Sequence, residues 1–273
     1  MMATHSFRLM VTCDDCGLSE GVNHAANSLY NRGMITTVSI LPNFRATQHA
    51  FHLFKSHAAL DVGLHLNLTE GDAITDFGAA NALVDAHGRF HSWKTFYRRA
   101  LFARSSFLSL IETEMIAQMN VFLDASIQPR HLTTHTHFHI IPTLRRLVYT
   151  LAQRYKIAWV RNGRLRAAAE PYNILLKRSG LTHHASVHTP DYVMSVKGWL
   201  RRDPAQLLRR LESLHGHIEL VVHPGFEDDN TFPAGVRYGV AARVRESQYY
   251  ERVFDLLRTM PESVIITAME TNR

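Results

Sequence analysis

Cysteine is scarce: the 273-residue chain has only Cys13 and Cys16, so a disulfide-stapled scaffold is excluded. No apolar run approaches the roughly 18 residues of a membrane-spanning helix. The opening MMATHSFRLMVTCDD lacks the apolar core and small-residue cleavage site of a secretion signal, so a cytoplasmic protein is expected. Repeats and low-complexity linkers are also missing, which favours one domain over 1–273. With 46% hydrophobic and 20% charged residues, the composition is that of a soluble globular chain and excludes a disordered or fibrous one. The net charge of +6 could suit nucleic acid, an anionic lipid surface or an acidic substrate. The basic pairs Arg98–Arg99, Arg145–Arg146, Arg201–Arg202 and Arg209–Arg210 are scattered and read as solvated helix faces, so no nucleic-acid partner is expected. A lone C-x-x-C without a second ligand pair is a weak zinc signal, and Cys13 and Cys16 read as packing residues.

What is present is an alternation of strand-like and helical patterns. Phe7–Thr12 reads as a buried strand, followed by a helix capped by Ser19, running to about Asn31 and stopped by Gly33. Ile35–Leu41, Asp61–Leu68, His131–His135, Ile157–Arg161, Asp191–Met194, Ile218–Val222 and Val264–Ala268 read as further strands. Helices are expected at Ala46–Lys55, Phe107–Leu123, Pro142–Tyr155, Pro204–Leu214 and Glu246–Arg258. This repeated order predicts an α/β fold with parallel strands and crossover helices, either an open sheet or a barrel. Two long insertions, about 69–105 and 163–190, are expected to form lids or substrate-binding loops.

The polar residues fall at strand ends. Asp14 and Asp15 follow the first strand, His65 lies at the third, His135, His137 and His139 follow the fourth, and His223 ends Glu219-Leu-Val-Val. In parallel α/β folds the carboxyl ends of strands form the binding face. Taken singly, Asp14–Asp15 also reads as a loop and cap pair, and His65 as a satisfied core histidine. His135, His137 and His139, at i, i+2 and i+4, would share one strand face, which is costly to bury without partners. Together these groups supply a carboxylate and imidazoles that leave open positions on a divalent ion, with further groups for proton transfer.

Four ordered motifs, Thr12-Cys-Asp-Asp-Cys-Gly-Leu-Ser19, Gly63-Leu-His-Leu-Asn-Leu68, His131-Leu-Thr-Thr-His-Thr-His-Phe-His139 and Val222-His-Pro224, resemble those of the YdjC-like carbohydrate deacetylases over almost the whole chain. That family includes the chitooligosaccharide deacetylases and a hopanoid-biosynthesis-associated branch, which His87-Gly-Arg-Phe90 also resembles. The resemblance implies a distorted (β/α) barrel of the polysaccharide-deacetylase type that removes N-acetyl groups from an amino-sugar-containing substrate with one divalent ion, Zn²⁺ or Mg²⁺. It further implies Asp15, His65 and His135 as metal ligands, Asp14 as general base and His223 as general acid. Arg161, Asn67 and His137 would serve the substrate, His137 beside the metal and not on it. Thr133 stands where the family commonly has an acid, and Cys13 and Cys16 where it usually has Ala and Phe. These departures leave the surroundings of His135 and the choice of metal and substrate open. A metallohydrolase acting on another amide or ester, or an inactive sugar-binding protein, is the alternative. The sequence leaves homo-oligomerisation open.

Overall fold

The computed structural model describes residues 7–161 and 187–260. Among these residues seven strands form one all-parallel sheet: β1 (Phe7–Cys16), β2 (Thr37–Ile40), β3 (Asp61–Leu66), β4 (His131–Thr134), β5 (Trp159–Val160), β6 (Tyr192–Ser195) and β7 (Gly216–Val222). Their spatial order is β5-β4-β3-β2-β1-β7-β6. The helices among the described residues are α1 (Glu20–Asn31), α2 (Thr47–Lys55), α3 (Trp93–Leu101), α4 (Ser105–Asp124), α5 (Pro142–Arg154), α6 (Pro204–Glu212) and α7 (Val240–Leu257).

The sheet curls until its two ends approach each other, giving a distorted (β/α) barrel. His188 donates to the Ala158 carbonyl (2.7 Å) and accepts from Val160 N–H (3.0 Å), while three residues later Asp191 N–H donates to His217 on β7 (2.8 Å). One extended stretch therefore pairs with β5 at one end of the sheet and runs directly into β6 at the other.

Strand alternation explains the two-sided packing of β1. Phe7, Leu9, Val11 and Cys13 belong to the main apolar core, whereas Met10 packs with Trp159 of β5 in a separate cluster. Thr12 and Asp14 share the Met10 face, and Arg161, just past β5, reaches Asp14 from across the barrel. The barrel interior is consequently polar towards the carboxyl ends of its strands.

Most expected elements occur with boundaries shifted by a few residues. The histidine run is different: β4 stops at Thr134, and His135–Ile140 forms a short helical turn in which Thr136 and His137 take left-handed angles (φ 57° and 59°). The three imidazoles therefore do not share a strand face. Such angles are uncommon outside glycine, and Tyr97 of α3 donates to the Thr136 carbonyl at 2.6 Å. The expected strand Val264–Ala268 and nearly all of the 163–190 insertion lie outside the described residues. The 69–105 insertion carries α3, which the sequence reading missed, and short antiparallel bridges at Asp72–Arg89 and Val84–Phe90.

His131, wholly buried on β4, contacts Ser39 Oγ through Nε2 at 2.9 Å. The neighbouring strand can approach because residue 63 is glycine: a Cβ there would lie 2.1 Å from His131 Nε2. Burial, reinforced by the positive charge of Arg161, depresses His131 to about 3. A histidine depressed in the folded state and normal when unfolded stabilises the fold above about pH 6.5, and this contribution is lost as pH falls towards the folded value. Unfolding free energy should therefore fall below about pH 6.5. Denaturant titrations of His131→Asn should show a pH slope shallower by up to ~1.4 kcal/mol per pH unit. An unchanged slope would remove His131 from the acid response.

Candidate metal centre and active site

Asp14 and Asp15 are adjacent, yet both line one cavity of about 300 Å³. Regular alternation would send them to opposite faces. The exception is local: Asp15 has φ 64°, and the β1–β2 register shifts between Cys13 and Cys16. This irregularity re-aims Asp15 at the strand end. The same cavity is lined by His65 of β3, His135 and His137 after β4, and His223 after β7, together with Glu70, Lys197, Arg237, Tyr238 and Arg243.

Asp15 Oδ1 lies 3.2 Å from His65 Nε2 and 2.9 Å from His135 Nδ1. One donor atom from each of Asp15, His65 and His135 lies within 4.8 Å of the others. A tetrahedral ion with bonds of about 2.0–2.1 Å separates its donors by about 3.3 Å, so the spacing suits a divalent cation. Charge agrees. Asp14, Asp15, Glu219 and Glu246 are buried around this centre against the buried guanidiniums of Arg161 and Arg243, a surplus of two carboxylates. Burial by itself would lower His135, but Asp15 and then Glu70 raise it to about 10, the sign of a site that favours positive charge. The donor set therefore fits a divalent metal.

Each imidazole also has a polar neighbour at its other nitrogen, the arrangement that orients metal-binding histidines: a hydrogen-bond partner for His65 and an ion-pair contact for His135. Glu70 Oε2 is 3.2 Å from His135 Nε2, and Thr133 Oγ1 is 2.6 Å from His65 Nδ1. Thr133 thus contacts His65, whereas the sequence reading placed its influence at His135. Arg243 Nη2 donates to Asp15 Oδ2 at 2.6 Å.

Arg161 grips Asp14 with two guanidinium nitrogens, Nη1 to Oδ2 at 2.6 Å and Nη2 to Oδ1 at 2.9 Å. The same guanidinium donates to both oxygens of Glu219, at 3.0 Å from Nε and 2.6 Å from Nη2, and Thr12 Oγ1 donates to Glu219 at 2.9 Å. Burial opposes ionisation of Asp14, but Arg161 outweighs it and holds the carboxyl well below its ordinary range. Arg161 is buried behind Asp14 and does not line the cavity.

His223 shows a different pairing. Its backbone N–H and Nδ1 both meet Glu246 Oε1, at 3.0 and 3.1 Å. Tyr238 donates to Glu246 Oε2 at 2.6 Å, and Lys197 Nζ lies 3.6 Å from the centre of the Tyr238 ring. With Nδ1 committed to Glu246, Nε2 is the ring nitrogen left for the cavity.

The other expected site residues are distributed as follows. His137 lines the cavity, and its buried Nδ1 has no hydrogen-bond partner among the described residues. Asn67 stands behind the wall: its Nδ2 donates to Asn43 Oδ1 (3.0 Å) and the Glu70 carbonyl (2.7 Å), while Oδ1 accepts from Thr69 and Glu70 N–H at 3.0 and 3.2 Å. It shapes the loop carrying Glu70. Cys13 and Cys16 are fully buried, and burial pushes both thiols up, away from thiolate chemistry.

Arg243, Glu246, Glu219 and Glu70 escaped the sequence reading. Arg243 and Glu246 lie on the same buried stripe of α7 as Tyr250, Val253 and Leu257, so charge on an apolar stripe was the available signal. Glu219 gave a similar one, as a carboxylate within the apolar run of β7.

A family model described as YdjC-like protein matches residues 8–257. A carbohydrate deacetylase of Halalkalibacterium halodurans is 31% identical over 228 residues, covering 81% of this chain and 86% of that protein. A carbohydrate deacetylase of Brevibacillus brevis is 28% identical, with 81% and 83% covered, and one from Vibrio cholerae is 28% identical, with 81% and 79% covered. In structure, the chain is similar to an Enterococcus faecalis protein described as a candidate cellobiose-phosphate cleavage protein, with a TM-score of 0.76, 21% identity, and 96% and 97% of the two chains covered; this likeness concerns the fold.

Proposed function

The chain belongs to the YdjC-like protein family, and from that membership and the site we propose that it is a metal-dependent deacetylase removing the N-acetyl group of an amino-sugar-containing substrate. The observation that carries this reading is the convergence of the Asp15, His65 and His135 donors in one cavity with Asp14 and His223. Curated relatives spanning most of the chain carry the name carbohydrate deacetylase, which gives the substrate class.

Asp15, His65 and His135 would hold the ion, which when bound polarises the acetyl carbonyl and acidifies water. The chain's own groups divide the proton work. Asp14, kept ionised by Arg161, accepts the proton of the attacking water. His223 Nε2 delivers a proton to the departing nitrogen, because an amide anion is too poor a leaving group. Glu246 fixes the ring so that Nδ1 faces the protein and Nε2 the substrate. Arg161 acts through Asp14 and Asn67 through the Glu70 loop, leaving His137 as the substrate-facing member of the set first read from sequence.

A larger cavity of about 730 Å³ adjoins the first at Glu70 and is lined in part by Phe44, Phe90 and Phe232. It offers room and aromatic surface for the remainder of the substrate. The test is an acetate-release assay with Zn²⁺- or Mg²⁺-loaded protein over N-acetylated sugars, oligosaccharides and glycolipids, with phosphate esters and unrelated amides and esters alongside. Acetate released from an N-acetylhexosamine unit is expected. Turnover confined to the unrelated amides, esters or phosphate esters would overturn the assignment, and binding without turnover would make the chain a sugar-binding protein.

A further inference from the structure

The two most exposed large apolar side chains among the described residues are neighbours: Phe102 is 83% and Leu101 66% exposed. They sit at the C-terminal end of α3, whose opposite side is anchored by buried Phe96 and Ala100. Phe96 packs against Phe107 and Phe138 at ring separations of 6.1 and 5.9 Å. The apolar pair is thus presented on a packed element.

The chain segment that carries the pair is of one sign. Between Asp85 and Glu112 the chain has no acidic residue, but it has Arg89, Lys94, Arg98, Arg99 and Arg104. Arg89 is paired with Asp72 (3.4 Å) and Arg99 donates to the Ala82 carbonyl (2.7 Å). Arg98 and Arg104 are exposed beside the tip, and Lys94 is exposed nearer the other end of α3.

The other end of α3 is part of the site. Its cap residue Ser92 lines the larger cavity, and the Trp93 ring lies 5.0 Å from the guanidinium of Arg237, which lines the smaller one. Eight residues at 1.5 Å each put Leu101 about 12 Å further along the helix. Cavities and apolar tip are therefore the two ends of one short, rigid helix.

We propose that the α3 tip is a docking surface for an anionic phospholipid membrane, with Leu101 and Phe102 entering the interface and Arg98 and Arg104 meeting the headgroups. Amphipathic surface segments bind by this combination of apolar burial and charge attraction. The proposed contact is a peripheral one, and no helix among the described residues is long and apolar enough to cross a membrane. A second copy fits the tip poorly, because a two-fold contact would bring two patches of the same positive charge together. The inference is independent of the deacetylase reading, since it uses only the surface of α3.

The experiment is flotation of the full-length protein with phosphatidylcholine vesicles, and with vesicles containing about one third phosphatidylglycerol, at low and high salt. The wild type should float with the anionic vesicles at low salt and be released by high salt. Leu101→Ser/Phe102→Ser should lower binding about tenfold or more, and Arg98→Gln/Arg104→Gln should also weaken it. Circular dichroism of both variants should match the wild type, because all four side chains are exposed. Absence of wild-type flotation would overturn the proposal, as would flotation unaffected by the Leu101/Phe102 variant. A wild-type dimer in sedimentation that this variant dissolves would equally overturn it, making the tip a contact between copies.

Discussion

Asp14→Asn should lower kcat on an N-acetylated sugar by about 10²–10⁴-fold while the protein keeps its metal, the range typical of a lost general acid–base group. The amide is close in size to the carboxylate and can still meet Arg161, whose charge Glu219 continues to balance at 2.6 Å. What disappears is the acceptor for the proton of water. His223→Ala should cost a similar factor, but the two variants should differ in their dependence on the leaving group. An aryl acetate releases a phenolate that needs no proton, so His223→Ala should be largely spared on such an ester and Asp14→Asn should not. Steady-state rates on amide and ester, with metal content measured on the same samples, separate the cases. Near wild-type amide turnover in either variant would remove the role assigned to that residue.

Much of the centre was legible because it stands at strand ends, where periodicity marks the boundary and the polar residues then stand out. Asp14, Asp15, His65, His135 and His223 all come from such positions and share one cavity. The paired aspartates were harder to interpret. Nothing in their spacing announces the left-handed angle at Asp15 that turns both side chains to one side. The histidine run misled for a related reason: its regular i, i+2, i+4 spacing suits a strand, but the backbone turns at Thr136 and His137.

Supporting groups were obscured differently. The resemblance puts Arg161 at the substrate, yet two carboxylates from β1 and β7 surround it across the barrel, an uncommon setting for an arginine. Pairings between residues 147 and 58 positions apart leave no trace in local pattern. On α4, Glu114 and Gln118 interrupt an otherwise apolar stripe. Glu114 accepts from Ile74 and Thr75 N–H at 3.0 and 2.9 Å, and Gln118 accepts from Asn67 N–H at 2.9 Å. Together they pin the loop that begins the insertion. A buried polar residue on an apolar helix stripe is therefore worth reading as a request for a distant partner, and Arg243 and Glu246 repeat the lesson on α7.

The proposed metal centre would rest on three residues from three strand ends, and loss of one imidazole would remove a third of the donor set. The most direct measurement is elemental analysis of Zn²⁺-loaded, dialysed wild type, Asp14→Asn, His65→Ala and His135→Ala. About one ion per chain is expected in the wild type and in Asp14→Asn, with strongly reduced occupancy in both histidine variants. Full stoichiometric binding in His65→Ala and His135→Ala would contradict the proposed centre.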